Sequence, residues 1–271
     1  ISEADVAHAG EEGAHRDFHA LNYLQSAYIQ LGRYKDAKRL TLIFKAEYDG
    51  LKDKTTAPDT PILQAKHVKG RTIFGLPDRV VYGYFDVLIR YLLETEDWDL
   101  IDKVPLVAPS RDFVAMKTEV EAGAAALKGN VSAARVASDK LTKLSKESGQ
   151  NDFVQSTITI QAKTAEGFAA YAAGDQEAMI EAMEAAGRME DMIVALSQPS
   201  YPAIPTREIY GNLLRRINRP AAAQVQYLKV LQRTPRRPKA IYGIAVAAAA
   251  LGDKETATLR FKEFLDLWKN A

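Results

Sequence analysis

The 271 residues allow one long helical array or two ordinary domains. With 47% hydrophobic and 26% charged residues the chain has the make-up of a packed protein, which sets disorder aside. A formal charge of +1 projects no global field toward nucleic acid or membrane, and the lack of cysteine removes disulfides, thiolate metal sites and a cysteine nucleophile.

Apolar residues recur at i, i+3 and i+4 almost throughout, which predicts helices and no sheet. An N-terminal helix pair is expected in 1–49, its helices (about 16–49) meeting at Leu31-Gly32-Arg33-Tyr34. Residues 50–76 form a connector. Asp49 to Pro61 carries Lys52-Asp53-Lys54-Thr55-Thr56 and two prolines, and Pro61 to Val68 is expected to make a short extra helix. Residues 77–197 hold three irregular pairs, about 78–105, 112–147 and 152–193, turning at Thr95-Glu96-Asp97-Trp98, Lys128-Gly129-Asn130 and Ala173-Gly174-Asp175. Where Gly stands in a turn it supplies the left-handed end of one helix, and the next polar residue caps the helix that follows. Thr157-Ile158-Thr159-Ile160 is the one β-like tetrad, and it sits inside helical pattern. Three prolines between Ser197 and Pro205 forbid helix. Residues 198–271 then hold two more pairs, 204–235 and 238–270, with turns at Ile217-Asn218-Arg219-Pro220 and Leu251-Gly252-Asp253.

No apolar run reaches the roughly 18 residues that a membrane span needs, so no span is expected. The chain opens on Ile1 rather than Met, which leaves cytoplasm and periplasm both open; a removed signal peptide would place it in the periplasm.

Shifted by 34 residues onto itself, the C-terminal part sets Gly211, Asn218, Ala223, Tyr227 and Pro235 on Ala245, Gly252, Ala257, Phe261 and Lys269. A small residue, a helix-ending Gly or Asn, a second small residue and an aromatic thus recur at one spacing. That pattern belongs to units of two antiparallel helices that cannot bury their apolar face alone. These residues resemble tetratricopeptide repeats over 204–270. Over 16–49 the likeness persists through Tyr28, Gly32, Tyr34 and Ala37, while Gln25 and Thr41 depart from it; the central units keep only small residues such as Ala122, Ala134 and Gly167. The chain as a whole is similar to bacterial multi-repeat proteins with degenerate central pairs. The resemblance implies an all-α, right-handed superhelical solenoid of antiparallel helix pairs that binds a protein or peptide on its concave face without catalysis. The concave residues it implies are Glu208, Asn212, Arg215 and Arg216 in one unit, Lys239 and Tyr242 in the next, and Asn22 in the first.

Charge adds a partner class. Residues 201–271 carry thirteen Lys/Arg against five Asp/Glu, a net of +8, and the rest of the chain is −7. Within 204–240, Arg207, Arg215, Arg216, Arg219, Lys229, Arg233, Arg236, Arg237 and Lys239 face Glu208 as the single acid. Arginine forks beside an amide suit a carboxylate or phosphate, and the family resemblance implies that Asn212, Arg216 and Lys239 could grip a partner's acidic segment or C-terminal carboxylate. The alternative is a basic edge that is solvated or balances the acidic centre of Glu166, Asp175, Glu177, Glu181, Glu184, Glu190 and Asp191.

Other chemistry is poorly supplied. Gly-x-Ser-x-Gly, phosphate-loop, dinucleotide and His-Glu-x-x-His motifs are absent. His15 and His19 are four apart, near His8, Glu11, Glu12 and Asp17, and on a helix would share one face; lacking a fixed third ligand, they leave no metal and no cofactor as the expectation. A metal-handling protein or enzyme built on these histidines is one alternative. An RNA-binding solenoid using Tyr210, Tyr227 and Tyr242 is another, opposed by the acidic centre, so nucleic acid is not the expected partner. Tyr82-Gly83-Tyr84-Phe85 with Tyr91 and Trp98 is expected in the core.

Overall fold

The structure, a computed structural model, describes residues 18–54, 66–68, 71–73, 76–98, 100, 111–147, 152–193 and 203–271. It divides into two compact units, one of residues 1–29 and 33–110, the other of 30–32 and 111–271. The described residues are helical apart from turns and one small β-hairpin.

The first unit holds α1 (Phe18–Gln30), α2 (Tyr34–Lys54), β1 (Lys66–Val68), β2 (Arg71–Ile73) and α3 (Leu76–Thr95). The helix α2 runs past Asp49, because Lys52-Asp53-Lys54 contains nothing that breaks a helix and the first proline comes only at Pro58. The expected short helix over Pro61 to Val68 is not what forms. Lys66–Val68 pairs antiparallel with Arg71–Ile73, His67 opposite Thr72, and residues 61–65 lie outside the described residues. Val68, Thr72 and Ile73 favour the pleated chain. The segment was too short to show a period of two.

α3 packs against α2 and is enclosed: every residue from Tyr84 to Glu94 is buried. Tyr84, Phe85 and Tyr91 are in this core, as expected, and Gly83 lets the Phe44 ring come where a β-carbon would lie 2.5 Å away. The same helix carries Asp86, Arg90 and Glu94 at steps of four, all buried. Arg90, 1% exposed, donates to Asp86 at 2.9 Å, to Gln25 Oε1 at 2.9 Å and to the carbonyl of Asn22 at 3.3 Å.

The second unit is a run of helix pairs: α4 (Arg111–Leu127) with α5 (Val131–Ser145), α6 (Asp152–Ala173) with α7 (Gln176–Asp191), α8 (Thr206–Arg216) with α9 (Pro220–Arg233), and α10 (Pro238–Ala250) with α11 (Lys254–Leu267). Each helix packs on the next, and first helices of successive pairs also touch, α4 with α6 and α8 with α10. The turn chemistry is as the sequence indicates. Gly129, Gly174 and Gly252 take φ of +74° to +79°, and Asn218 takes 58°. Asn130, Asp175 and Asp253 then accept the amide protons of Ala133, Ala178 and Thr256 at 3.0 Å. The β-like tetrad is helical within α6. Thr157 and Thr159 turn their hydroxyls back onto the carbonyls of Phe153 and Gln155, at 2.9 and 2.8 Å, so the helix itself absorbs their polarity.

Candidate functional site

The packing positions of the last two pairs converge on one side chain. Tyr227 of α9 is fully buried, and its ring passes between Gly211 of α8 and Gly243 of α10. A β-carbon would lie 2.7 Å from the ring at Gly211 and 2.5 Å at Gly243, so both positions must be bare for the ring to fit. The hydroxyl emerges among polar residues of α8. It donates to Asn212 Oδ1 at 2.7 Å, and Arg215 and Arg216 are near enough to act on it electrostatically. Burial holds the phenol far above its ordinary range despite the two cations, so it remains a neutral O–H.

Three of the expected ligand contacts, Asn212, Arg215 and Arg216, are therefore grouped around one hydroxyl. Asn212 and Arg215 are half-buried and Arg216 is exposed. Lys239 and Tyr242 stand on the adjoining α10. Tyr242 is 40% exposed, its ring edge-on to Phe261 at 6.0 Å and tilted against Phe264 at 5.1 Å.

Two expected contacts are placed otherwise. Glu208 is fully buried, and its two oxygens accept from Nε and Nη2 of Arg237 at 2.7 and 2.8 Å. It lies in the first turn of α8, opposite the residue that precedes α10, so it joins two pairs and offers nothing to a ligand. Asn22 belongs to the first unit, where its Nδ2 donates in a short bond to Asp86 beside Arg90. His15 lies outside the described residues, as does the side chain of His19; among the described residues no group of three His, Cys, Asp or Glu is placed to hold a metal. No described helix is long and apolar enough to cross a membrane.

The basic run does not face Glu208 alone, because α7 brings acids to it. Arg207, 3% exposed, donates to Asp191 at 2.7 and 3.1 Å, to Glu184 at 2.7 Å and to Gln226 at 3.0 Å. Arg233 closes the end of α7 through the carbonyls of Glu190 and Ile193, both at 2.7 Å, and Lys229 comes within 3.8 Å of Glu184. Intramolecular pairing thus accounts for Arg207, Arg233 and Arg237. Buried arginines matched by carboxylates fix the register of neighbouring helices more than they add net stability.

A further acid escaped sequence inspection. Glu119 of α4 is half-buried, and its carboxyl accepts from Gln161 Nε2 of α6 at 3.1 Å. Burial pushes it up to about 8, the Gln161 bond pulls it down, and the charge of Glu190 adds to the rise. Glu190 is raised by burial too, against the bonds it accepts from the amide and hydroxyl of Thr206 at 3.0 and 2.6 Å.

Comparison of the chain with family models, with curated proteins and with solved structures gives no match.

Proposed function

We propose that the second unit is a non-catalytic binding scaffold of tetratricopeptide type, a right-handed superhelical stack whose α8–α10 face takes an acidic segment or a C-terminal carboxylate. Asn212, Arg215, Arg216 and Lys239 are the contacts, and Tyr242 offers an aromatic surface beside them. One observation supports this most. Arg207 and Arg237 are matched by carboxylates of the chain itself, whereas Asn212 is bonded to a neutral phenol that Arg215 adjoins. An arginine and an amide gathered on a neutral group can still gain charge-assisted hydrogen bonds from an incoming carboxylate.

Fluorescence anisotropy of labelled hexaglutamate with the full chain tests the proposal. Binding that weakens with salt, and is absent for hexalysine, is expected. Equal binding of the two probes, or none of either, refutes it.

A further inference from the structure

We infer that Tyr227 is the positioning residue of this face: its hydroxyl holds the Asn212 amide so that a carboxylate meets donors alone. The inference rests on the peptide-binding proposal for α8 and α10.

The ring has no freedom to swing. It is wedged between Gly211 and Gly243, where even one added β-carbon on either side would lie within 2.7 Å of it. Its oxygen is therefore fixed relative to both helices. A phenol has one donor and can also accept. Here the donor goes to Asn212 Oδ1 at 2.7 Å. An asparagine amide in water presents its oxygen or its NH2 with equal ease, and the oxygen repels a carboxylate. With Oδ1 engaged, Nδ2 and its two hydrogens are what Asn212 has to offer a ligand.

Packing alone does not ask for the hydroxyl. Thirty-four residues on, the equivalent place is filled by Phe261, which has the ring without the oxygen. A phenol whose hydroxyl holds the amide of a proposed contact is therefore additional to the repeat's packing.

The test is a double-mutant cycle on the full chain with labelled hexaglutamate as probe. Tyr227→Phe and Asn212→Ala should each weaken binding by at least about tenfold, the loss of one hydrogen bond to a charged group. The double variant should bind no worse than the weaker single one, because both changes remove the same arrangement. In the ligand-free chain, Tyr227→Phe should also shift the side-chain amide resonances of Asn212. Losses that multiply in the double variant, unchanged affinity in Tyr227→Phe, or unmoved amide resonances would each overturn the inference and leave Tyr227 as packing. Failure of the unsubstituted chain to bind hexaglutamate is a separate outcome, and it removes the peptide-binding proposal itself together with this inference.

Discussion

The guanidinium of Arg207 fills the place that a side chain at Gly187 would take: a β-carbon there would lie 2.6 Å from Nε and 2.7 Å from Cζ. The two residues sit on α7 and α8, across the stretch 194–202, and together they join two helix pairs. Arg207 cannot yield as a loose surface arginine would, because Glu184, Asp191 and Gln226 hold it.

Gly187→Ala should therefore destabilise the second unit. Alanine gains about 1 kcal/mol of helix propensity over glycine, but pushing the buried Arg207 off the acids that hold it leaves a buried charge unpaired and costs about 3 kcal/mol or more. The net loss should be about 2 kcal/mol. Gly50→Ala is the control, since Gly50 is helical and exposed, with nothing within 4 Å of its added β-carbon. That variant should be neutral or gain up to about 1 kcal/mol. Urea midpoints check both, and equal effects would mean that Arg207 is not held as described.

The half-buried carboxyl of Glu119 makes stability depend on pH. Its ordinary value is 4.5, and in the folded chain burial pushes it up to about 8. Between those values the unfolded chain has lost the proton and the folded chain keeps it. Stability is thus full below 4.5, falls as pH rises toward 8, and levels off above. The slope from this group is at most about 1.4 kcal/mol per pH unit. Glu190 shifts the same way and adds the same sign. Glu119→Gln keeps a neutral side chain on both sides of folding and should flatten the profile between about pH 5 and 8. An unchanged slope in chemical denaturation would remove Glu119 as its source.

Packing around Tyr227 gives a third outcome. Ala223 is fully buried and Ala257 is 7% exposed, so Ala223→Arg or Ala257→Arg forces a charge into a helix contact and should cost about 3 kcal/mol or more. Lys229→Arg, at a side chain 37% exposed, should stay within about 0.5 kcal/mol. Denaturation midpoints that fail to separate these variants would put the repeat register in error.

The pairs themselves were legible because their signals are local. A Gly or Asn in the left-handed region, a capping Asn or Asp, and the recurrence of Gly211 and Ala223 at Ala245 and Ala257 all act within a few residues. What stayed hidden depends on contacts far apart in sequence. Glu208 looked available until Arg237, twenty-nine residues later, took both of its oxygens. Arg207 looked unmatched because Glu184 and Asp191 precede it by 23 and 16 residues, with prolines between. Glu119 carries no local mark of its burial. The role of the Tyr227 hydroxyl did have a signal: glycine at both 211 and 243 frees a passage for one large side chain, and Tyr stands where the next repeat has Phe261.

Charge reversal separates the three kinds of arginine in the C-terminal pairs. Arg237 is 6% exposed and bidentate to a fully buried Glu208, so Arg237→Glu sets two acids together in the core. It should cost about 3–5 kcal/mol and lower the melting temperature sharply. Arg236 is exposed in the turn between α9 and α10, and its reversal should alter neither stability nor hexaglutamate binding by more than about twofold. Arg216 is exposed on α8 beside Asn212 and Arg215. Arg216→Glu should leave the melting temperature nearly unchanged and weaken hexaglutamate at least tenfold, about 1.4 kcal/mol. Matching losses from Arg216→Glu and Arg236→Glu would mean diffuse attraction to a basic edge. No loss from either would leave α8 and α10 without a ligand-binding role, since the one reversal that still hurt, Arg237→Glu, acts on folding alone.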